Sequence, residues 1–99
     1  MWFVPPAALH STQNAVFAAG AGWIGGYSRC SWAAMGEGTF FAGEGTAPSV
    51  GEVGRDQRVT EYRVETVVPA ERLSAVVEAL RRAHPYEEPA FDVYPLVDV

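Results

Sequence analysis

The stretch from Val68 to Leu96 constrains the fold of this chain most, because it combines an amphipathic helix, an abrupt stop and a short apolar run. Pro69 suits the first turn of a helix, since its φ is fixed and it lacks an N–H group. Apolar residues then recur at the spacing that buries one helical face: Leu73, Val76, Val77, Leu80 and Ala83. Pro85 biases His84 away from helical dihedrals, so we predict that the helix ends there.

A faint copy of this stretch lies near the beginning of the sequence. A shift of about 64 positions places Val4-Pro5 on Val68-Pro69 and Leu9 on Leu73. The chain therefore reads as two strand-helix-strand units. The predicted elements are a strand at Trp2–Val4, a helix from about Ala7 to Ala19, a strand at Tyr27–Ala34, a strand at Val59–Val68, the helix after Pro69 and a strand at Phe91–Tyr94.

This order, β-α-β-β-α-β, predicts an α+β fold of the ferredoxin-like, split βαβ type in a single domain over residues 1–99. Between its second and third strands, from Met35 to Gly54, the chain has six glycines and one proline around Phe40-Phe41. That composition predicts a long Gly-rich hairpin loop, which we interpret as a solvent-exposed excursion or a subunit-clasping arm. A functional loop is the alternative.

Composition indicates which classes of function to expect. Apolar residues make up 48% of the chain and charged residues 19%, which is typical of a globular protein. The net charge is −5 and the seven basic residues, all arginines, are interspersed with acids, which argues against binding nucleic acid or anionic membranes. The single cysteine, Cys30, rules out an internal disulfide. With no long apolar span or leader in the sequence, we expect a cytoplasmic protein.

Two sequence patterns invite a chemical interpretation. The run from Gly20 to Gly25 matches the G-x-G-x-x-G pattern of dinucleotide-binding turns, but it follows a predicted helix and leads to a strand. We therefore expect it to form a tight helix-to-strand turn. His84, Glu87 and Glu88 could together ligate zinc or copper. Helix capping by the histidine and solvated carboxylates on a turn are the interpretation that we favour.

Other reactive residues give weaker signals. Cys30 is expected to be a half-buried, inert strand residue, because no histidine can be placed beside it from the sequence. Glu61 and Glu65 share one strand face and could act as paired carboxylates. Arg63 between them indicates an ordinary charge lattice instead.

Five segments together resemble a known family: GAGWIGGYSRCSW, GEGTF, GTAPSVGEVG, VETVVP and HPYEEPAFDV. They are similar to the small PII/CutA-like domain that is inserted in bacterial YqfO proteins, the family named after an NGG-interacting factor. The resemblance covers nearly the whole chain. It implies a ferredoxin-like fold assembled as a homotrimer, with the 36–54 loop contacting partners. It does not imply the dinuclear metal chemistry of YqfO proteins, which resides in flanking domains.

The expectation is thus a non-enzymatic, homotrimeric cytoplasmic module without a cofactor, which binds a small ligand or a partner protein in clefts between subunits. The expected ligand-binding residues are Gly20, Gly22, Gly25, Tyr27, Phe40, Phe41, His84, Tyr86, Glu87 and Glu88. Three alternatives remain: a CutA-like protein that binds a divalent metal ion (copper or zinc) through His84, Glu87 and Glu88, an accessory domain linked to a YqfO-type hydrolase, and an enzyme that uses the carboxylates.

Overall fold

Each half of the chain forms a strand, one 3-10 turn and an α-helix in the computed structural model, which describes residues 1–49 and 51–99. In the first half these are β1 (Trp2–Val4), a turn at Pro6–Ala8 and α1 (Leu9–Ala18). In the second half they are β3 (Asp56–Thr66), a turn at Ala70–Arg72 and α2 (Leu73–Ala83). The helices begin 64 positions apart, so the repeat seen in the sequence is present in these elements.

The same local chemistry starts both helices. Pro5 and Pro69 have extended backbones, with ψ of 151° and 146°, and each precedes a 3-10 turn. The carbonyl of Pro5 accepts a hydrogen bond from the Ala8 N–H, and that of Pro69 accepts one from Arg72. Proline has no N–H to leave unsatisfied at this position, which explains why it precedes both helices.

The three strands form an antiparallel sheet in the order β1-β3-β2, where β2 spans Ser31–Phe41. The register pairs Trp2 with Val64 in one ladder and Ser31 with Thr66 in the other. This sheet and the two helices together make an α+β fold. Its central strand, β3, carries the alternating pattern that was recognised in the sequence.

The core lies between the helices and the start of the hairpin. Its buried apolar residues are Trp2, Val4, Leu9, Val16, Ala21, Val64, Val76 and Leu80. Burying one such side chain of valine or leucine size stabilises the fold by about 1.5–3 kcal/mol. The one polar side chain deep in this cluster, Thr12, accepts a hydrogen bond from the Trp2 Nε1–H at 3.1 Å and donates to the Ala8 carbonyl at 2.8 Å.

The second strand differs from its prediction. It runs from Ser31 to Phe41 rather than from Tyr27 to Ala34, so much of the predicted loop is strand and the connection is 42–55. The predicted loop 36–54 includes Val50, which lies outside the described residues. Cross-strand pairing with β3 overrides the poor strand propensity of Gly36 and Gly38, which stand opposite Glu61 and Val59.

The fourth strand, predicted at Phe91–Tyr94, is not formed, so the full β-α-β-β-α-β order is absent. Phe91 makes a single antiparallel bridge to Trp2, flanked by a hydrogen bond from the Phe3 N–H to the Ala90 carbonyl at 3.0 Å. A three-residue β1 offers little edge to pair with, and Pro89 and Pro95 lack the N–H groups that would extend a ladder.

The distal half of the β2-β3 hairpin extends away from the helical layer. The molecule measures 47 × 24 × 24 Å, and Val64 is the one hairpin strand residue that is buried. Met35 and Phe41 are 59% and 61% exposed. The described part of the chain has no helix whose length and apolar character would let it cross a membrane.

Candidate functional site

A groove of about 300 Å³ lies where the end of β2, the following loop and the turn after α2 meet. Its walls come from segments that are far apart in sequence. The residues that line it are Thr39, Phe40, Phe41, Ala42, Thr46, Pro48, Ser49, Glu61, Tyr86, Glu87, Glu88 and Ala90. Another depression, of about 430 Å³, is lined by strand residues, and the described residues that form it are 39–41 and 56–58.

The turn after α2 is held in place by His84. Pro85 gives His84 an extended backbone, with ψ of 135°, and the side chain is 6% exposed. Its Nε2 lies 2.6 Å from the Phe3 carbonyl oxygen, and its Nδ1 accepts a hydrogen bond from the Tyr86 N–H at 3.1 Å. These partners assign the proton to Nε2, because a carbonyl can only accept. Burial lowers the pKa of His84, which favours this neutral imidazole.

Tyr86 forms the inner wall of the groove. Its ring packs against the His84 ring with centroids 4.9 Å apart. The Tyr86 hydroxyl is buried and has no hydrogen-bond partner among the described residues. Burial, together with the neighbouring Glu61 carboxylate, raises the pKa of Tyr86 to about 12. The phenol is therefore neutral at physiological pH.

Glu61 reaches the groove because Gly38 leaves room for it. A Cβ atom on Gly38 would lie 2.0 Å from Glu61 Oε1, so any larger residue would displace the carboxylate. Arg63 forms an ion pair with Glu65 at 3.6 Å, whereas Glu61 has no such partner among the described residues. The charge pairing expected for this strand is thus formed by Glu65 with Arg63, and Glu61 takes no part in it.

The loop after β2 is tied to the turn by one hydrogen bond. The Ala47 N–H donates to the Glu87 carboxylate at 2.7 Å. Within the loop, the Thr46 hydroxyl donates to the Gly43 carbonyl, also at 2.7 Å. These contacts place the loop as the outer wall of the groove.

The structure brings together half of the expected ligand-binding residues: Phe40, Phe41, Tyr86, Glu87 and Glu88. The other expected residues do not line this groove. His84 lies behind Tyr86, and the turn that contains Gly20, Gly22, Gly25 and Tyr27 lies beyond the opposite end of β2. An 11-residue strand is roughly 35 Å long, so one subunit does not join the two regions into a single cleft.

The Gly-rich turn has a packing role in this structure. Gly20 ends α1 with φ of +118°, beside a hydrogen bond from the Ala21 N–H to the Val16 carbonyl. A Cβ on Gly22 would lie 2.8 Å from the Phe17 ring. The turn follows a helix and leads towards a strand, as predicted, and this is the reverse of the order in a dinucleotide-binding turn.

The suggested metal ligands are not assembled as a metal site. Both ring nitrogens of His84 are engaged within the protein, and Glu87 accepts the Ala47 N–H. Within residues 1–49 and 51–99, no three His, Cys, Asp or Glu side chains are grouped closely enough to hold a metal ion. The reason is that the histidine is buried between the turn and β1 instead of facing the glutamates.

Sequence reasoning missed Glu61 as a groove residue. The available signal was Gly38, because a glycine inside a strand often marks the close approach of another group. The pairing register needed to place Glu61 over that glycine becomes apparent only once β2 is known to extend to Phe41.

Comparison with known proteins identifies homologues of this chain. No family model matches it. The chain is 52% identical over 95 residues to the GTP cyclohydrolase 1 type 2 homolog of Mycobacterium tuberculosis. The aligned region covers 96% of this chain and 25% of that protein. It is 43% identical over 94 residues to the protein of the same name from Bacillus subtilis, again covering 95% of this chain and 25% of the relative.

A solved structure shows the same relationship. The crystal structure of a Bacillus cereus protein related to NIF3 matches with a TM-score of 0.84 and 43% sequence identity, covering 98% of this chain and 24% of that chain. These homologues support the predicted resemblance to the YqfO and NIF3 family. The chain spans about a quarter of the length of the relatives it matches.

Proposed function

We propose that this chain is a non-enzymatic, PII/CutA-like binding module that takes up a small ligand or a segment of a partner protein in the groove. The groove itself is the observation that supports this proposal, because it combines the aromatic ring of Phe40 with the polar side chains of Glu61 and Tyr86. Ligand sites are typically concave, with apolar walls and a few orienting polar groups.

The positions of the reactive side chains favour binding over catalysis. His84 is buried with both nitrogens engaged, and His10 contacts the Gln13 side chain at 3.2 Å. The Cys30 Sγ faces the carbonyls of Tyr27 and Ser28 at 3.7 Å. A cysteine such as Cys30 is commonly activated by an adjacent base. The hydrogen bonds of His10 and His84 are made to other groups, so neither histidine is placed to act as that base.

The module acts as a homotrimer in this proposal, with ferredoxin-like subunits and grooves at or near the subunit boundaries. The uncovered hairpin supports this part of the proposal, since Trp32, Met35 and Phe41 are each about 60% exposed. Trp32 lies on one face of β2 and Met35 and Phe41 lie on the other, so both faces offer exposed apolar side chains for a partner subunit to cover. The loop 42–55 would then be available for partner contacts.

A second candidate role is that of an accessory domain linked to a YqfO-type metal-dependent hydrolase in a longer protein. The observation that favours it is the length of the relatives, which are about four times as long as this chain. Their name, GTP cyclohydrolase 1 type 2 homolog, refers to the whole protein. In this role the groove binds an effector, and the chemistry takes place outside these residues.

Native mass spectrometry of gently purified protein tests the proposal. We expect a trimer that carries additional small-molecule mass. Ala90→Trp fills the groove and should remove that mass, while the matched variant Ala75→Trp, at an exposed position on α2, should keep it. A bare monomer at micromolar concentration would contradict the assembly. A bare trimer would contradict retention of a small ligand and leave the partner-protein role.

A further inference from the structure

We infer that the groove selects an organic cation, namely an ammonium or amidinium group attached to a flat apolar body. This inference rests on the groove being the binding site proposed above. It specifies the charge and shape of the ligand, which the proposed function leaves open.

The first argument is the charge of the groove wall. Glu61, Glu87 and Glu88 line the groove, and none of its described lining residues is an arginine. Of the six glutamates outside the groove, four pair with arginines in the described chain: Glu52 with Arg55, Glu37 with Arg58, Glu65 with Arg63 and Glu78 with Arg82. Neither Glu61 nor Glu88 has a comparable ion pair in the described residues. The groove is therefore a place where negative charge is left without a partner from the chain.

The second argument comes independently from the phenylalanines. The chain has five, and three of them carry a guanidinium over the ring, at 5.2 Å for Phe17, 5.9 Å for Phe3 and 4.9 Å for Phe91. The remaining two, Phe40 and Phe41, line the groove. A cation over an aromatic face is attracted by the negative potential above the ring. Phe40 lies on the same face of β2 as Gly38, over which the Glu61 carboxylate lies, so a ligand cation beside Glu61 would stand over the Phe40 ring as the guanidinium groups stand over the other three rings.

The third argument is that Glu61 is positioned before any ligand arrives. Gly38 leaves the space that the carboxylate occupies, and the buried Tyr86 hydroxyl beside it makes no hydrogen bond with the described residues. A preset carboxylate binds a cation without a further loss of side-chain entropy. The same arrangement opposes phosphates and carboxylates, because like charges repel and the repulsion is stronger in a groove than in open water.

Three probes of one shape separate charge from shape: benzamidine, benzamide and benzoate are cationic, neutral and anionic. We would titrate each into the full isotope-labelled chain and follow backbone amide shifts. Benzamidine should shift the amide signals of Gly38, Phe40 and Tyr86, and benzoate should not. Glu61→Gln should weaken benzamidine binding about tenfold, which corresponds to roughly 1.4 kcal/mol. Glu71→Gln, an exposed change outside the groove, should bind like the wild type.

Each contrary result has a distinct meaning. Equal shifts from benzamide, or a preference for benzoate, would overturn the cation inference while the groove remained a binding site. Benzamidine binding that is unaffected by Glu61→Gln would also overturn it. If none of the probes bound, the inference would fail, and the loss or retention of ligand mass in Ala90→Trp would separately decide the proposed function. A dispersed spectrum of Glu61→Gln verifies that this variant is folded.

Discussion

The two ends of the β2-β3 hairpin differ in how their side chains are covered. At the end that contains Ser31 and Thr66, both helices pack over the sheet and Val64 is fully buried. At the other end, near Phe41 and Asp56, no helix covers the strands and the groove opens between loop and turn. The comparison indicates that the buried core lies at the covered end, whereas the groove proposed to bind a ligand lies at the projecting end. Substitutions at the two ends should therefore have separable effects.

The largest effect on stability is expected for Leu80→Ala at the covered end. Leu80 is 4% exposed, and its truncation leaves a cavity in the core. Leu→Ala changes in cores cost about 2–5 kcal/mol. Urea denaturation measures the difference, with Leu96→Ala, at a 76% exposed position, as the matched control that should cost little. Equal losses in the two variants would contradict the location of the core.

Thr12→Val tests the polar contact inside the same core. Valine keeps the shape of threonine but leaves the buried Trp2 Nε1–H without its acceptor. A buried unsatisfied donor costs about 1–3 kcal/mol. Thr60→Val, at an exposed position of the projecting end, should change the free energy of unfolding by no more than about 0.5 kcal/mol. If the two variants unfolded at the same urea concentration, the Trp2–Thr12 contact would not be stabilising.

The free energy of unfolding should depend on pH in the acid range through His84, which lies between the two ends of the hairpin. Burial, the largest cause, lowers the pKa of His84 in the folded state, although its hydrogen bond to Phe3 and the charge of Glu61 oppose the shift. The neutral form is therefore favoured on folding. Its contribution is complete above the ordinary value of 6.5 and is lost as pH falls through the lower folded pKa.

The expected slope is at most about 1.4 kcal/mol per pH unit, the contribution of one proton. Comparing the pH dependence of unfolding between the wild type and His84→Gln isolates this contribution, since the carboxylates are common to both. His10→Gln, at an exposed site, should retain the wild-type slope. A wild-type slope in His84→Gln would show that the imidazole does not titrate with folding.

The smallest effect is expected for Tyr86→Phe at the projecting end. Removing a buried hydroxyl that lacks a partner relieves a desolvation penalty, so the free energy of unfolding at neutral pH should rise by about 1 kcal/mol, the lower end of the range because Tyr86 is only partly buried. The folded pKa of about 12 is above the ordinary value of 10, so the contribution of neutral Tyr86 is present below pH 10 and lost as pH rises through 12.

An alkaline titration of unfolding measures this difference. Tyr86→Phe should be less sensitive than the wild type between pH 10 and 12, and Tyr27→Phe, at a 78% exposed position, should behave like the wild type. A marked loss of stability in Tyr86→Phe at pH 7 would mean that the hydroxyl makes a contact that stabilises the fold.

Local sequence patterns were sufficient where one residue type dictates the backbone. Pro69 and Pro85 bound the second helix, and the alternation around Tyr62 and Val64 placed the central strand. Even the polar first helix was predicted correctly, since it forms at Leu9–Ala18. The prediction was wrong where pairing decided the outcome, at the extension of β2 through Gly36 and Gly38 and at the missing strand after Phe91.

The candidate site shows the same division. The sequence by itself determined that Phe40, Tyr86 and the two glutamates after it are the residues to examine, and that the Gly-rich run after α1 is a turn. Only the tertiary structure decided that the glycine turn lies away from the groove and that His84 is buried behind Tyr86. It also decided that Glu61, and not His84, lines the groove. The physical reason is that backbone propensity acts within a few residues, whereas the groove depends on strand register and on which partner satisfies a buried polar group.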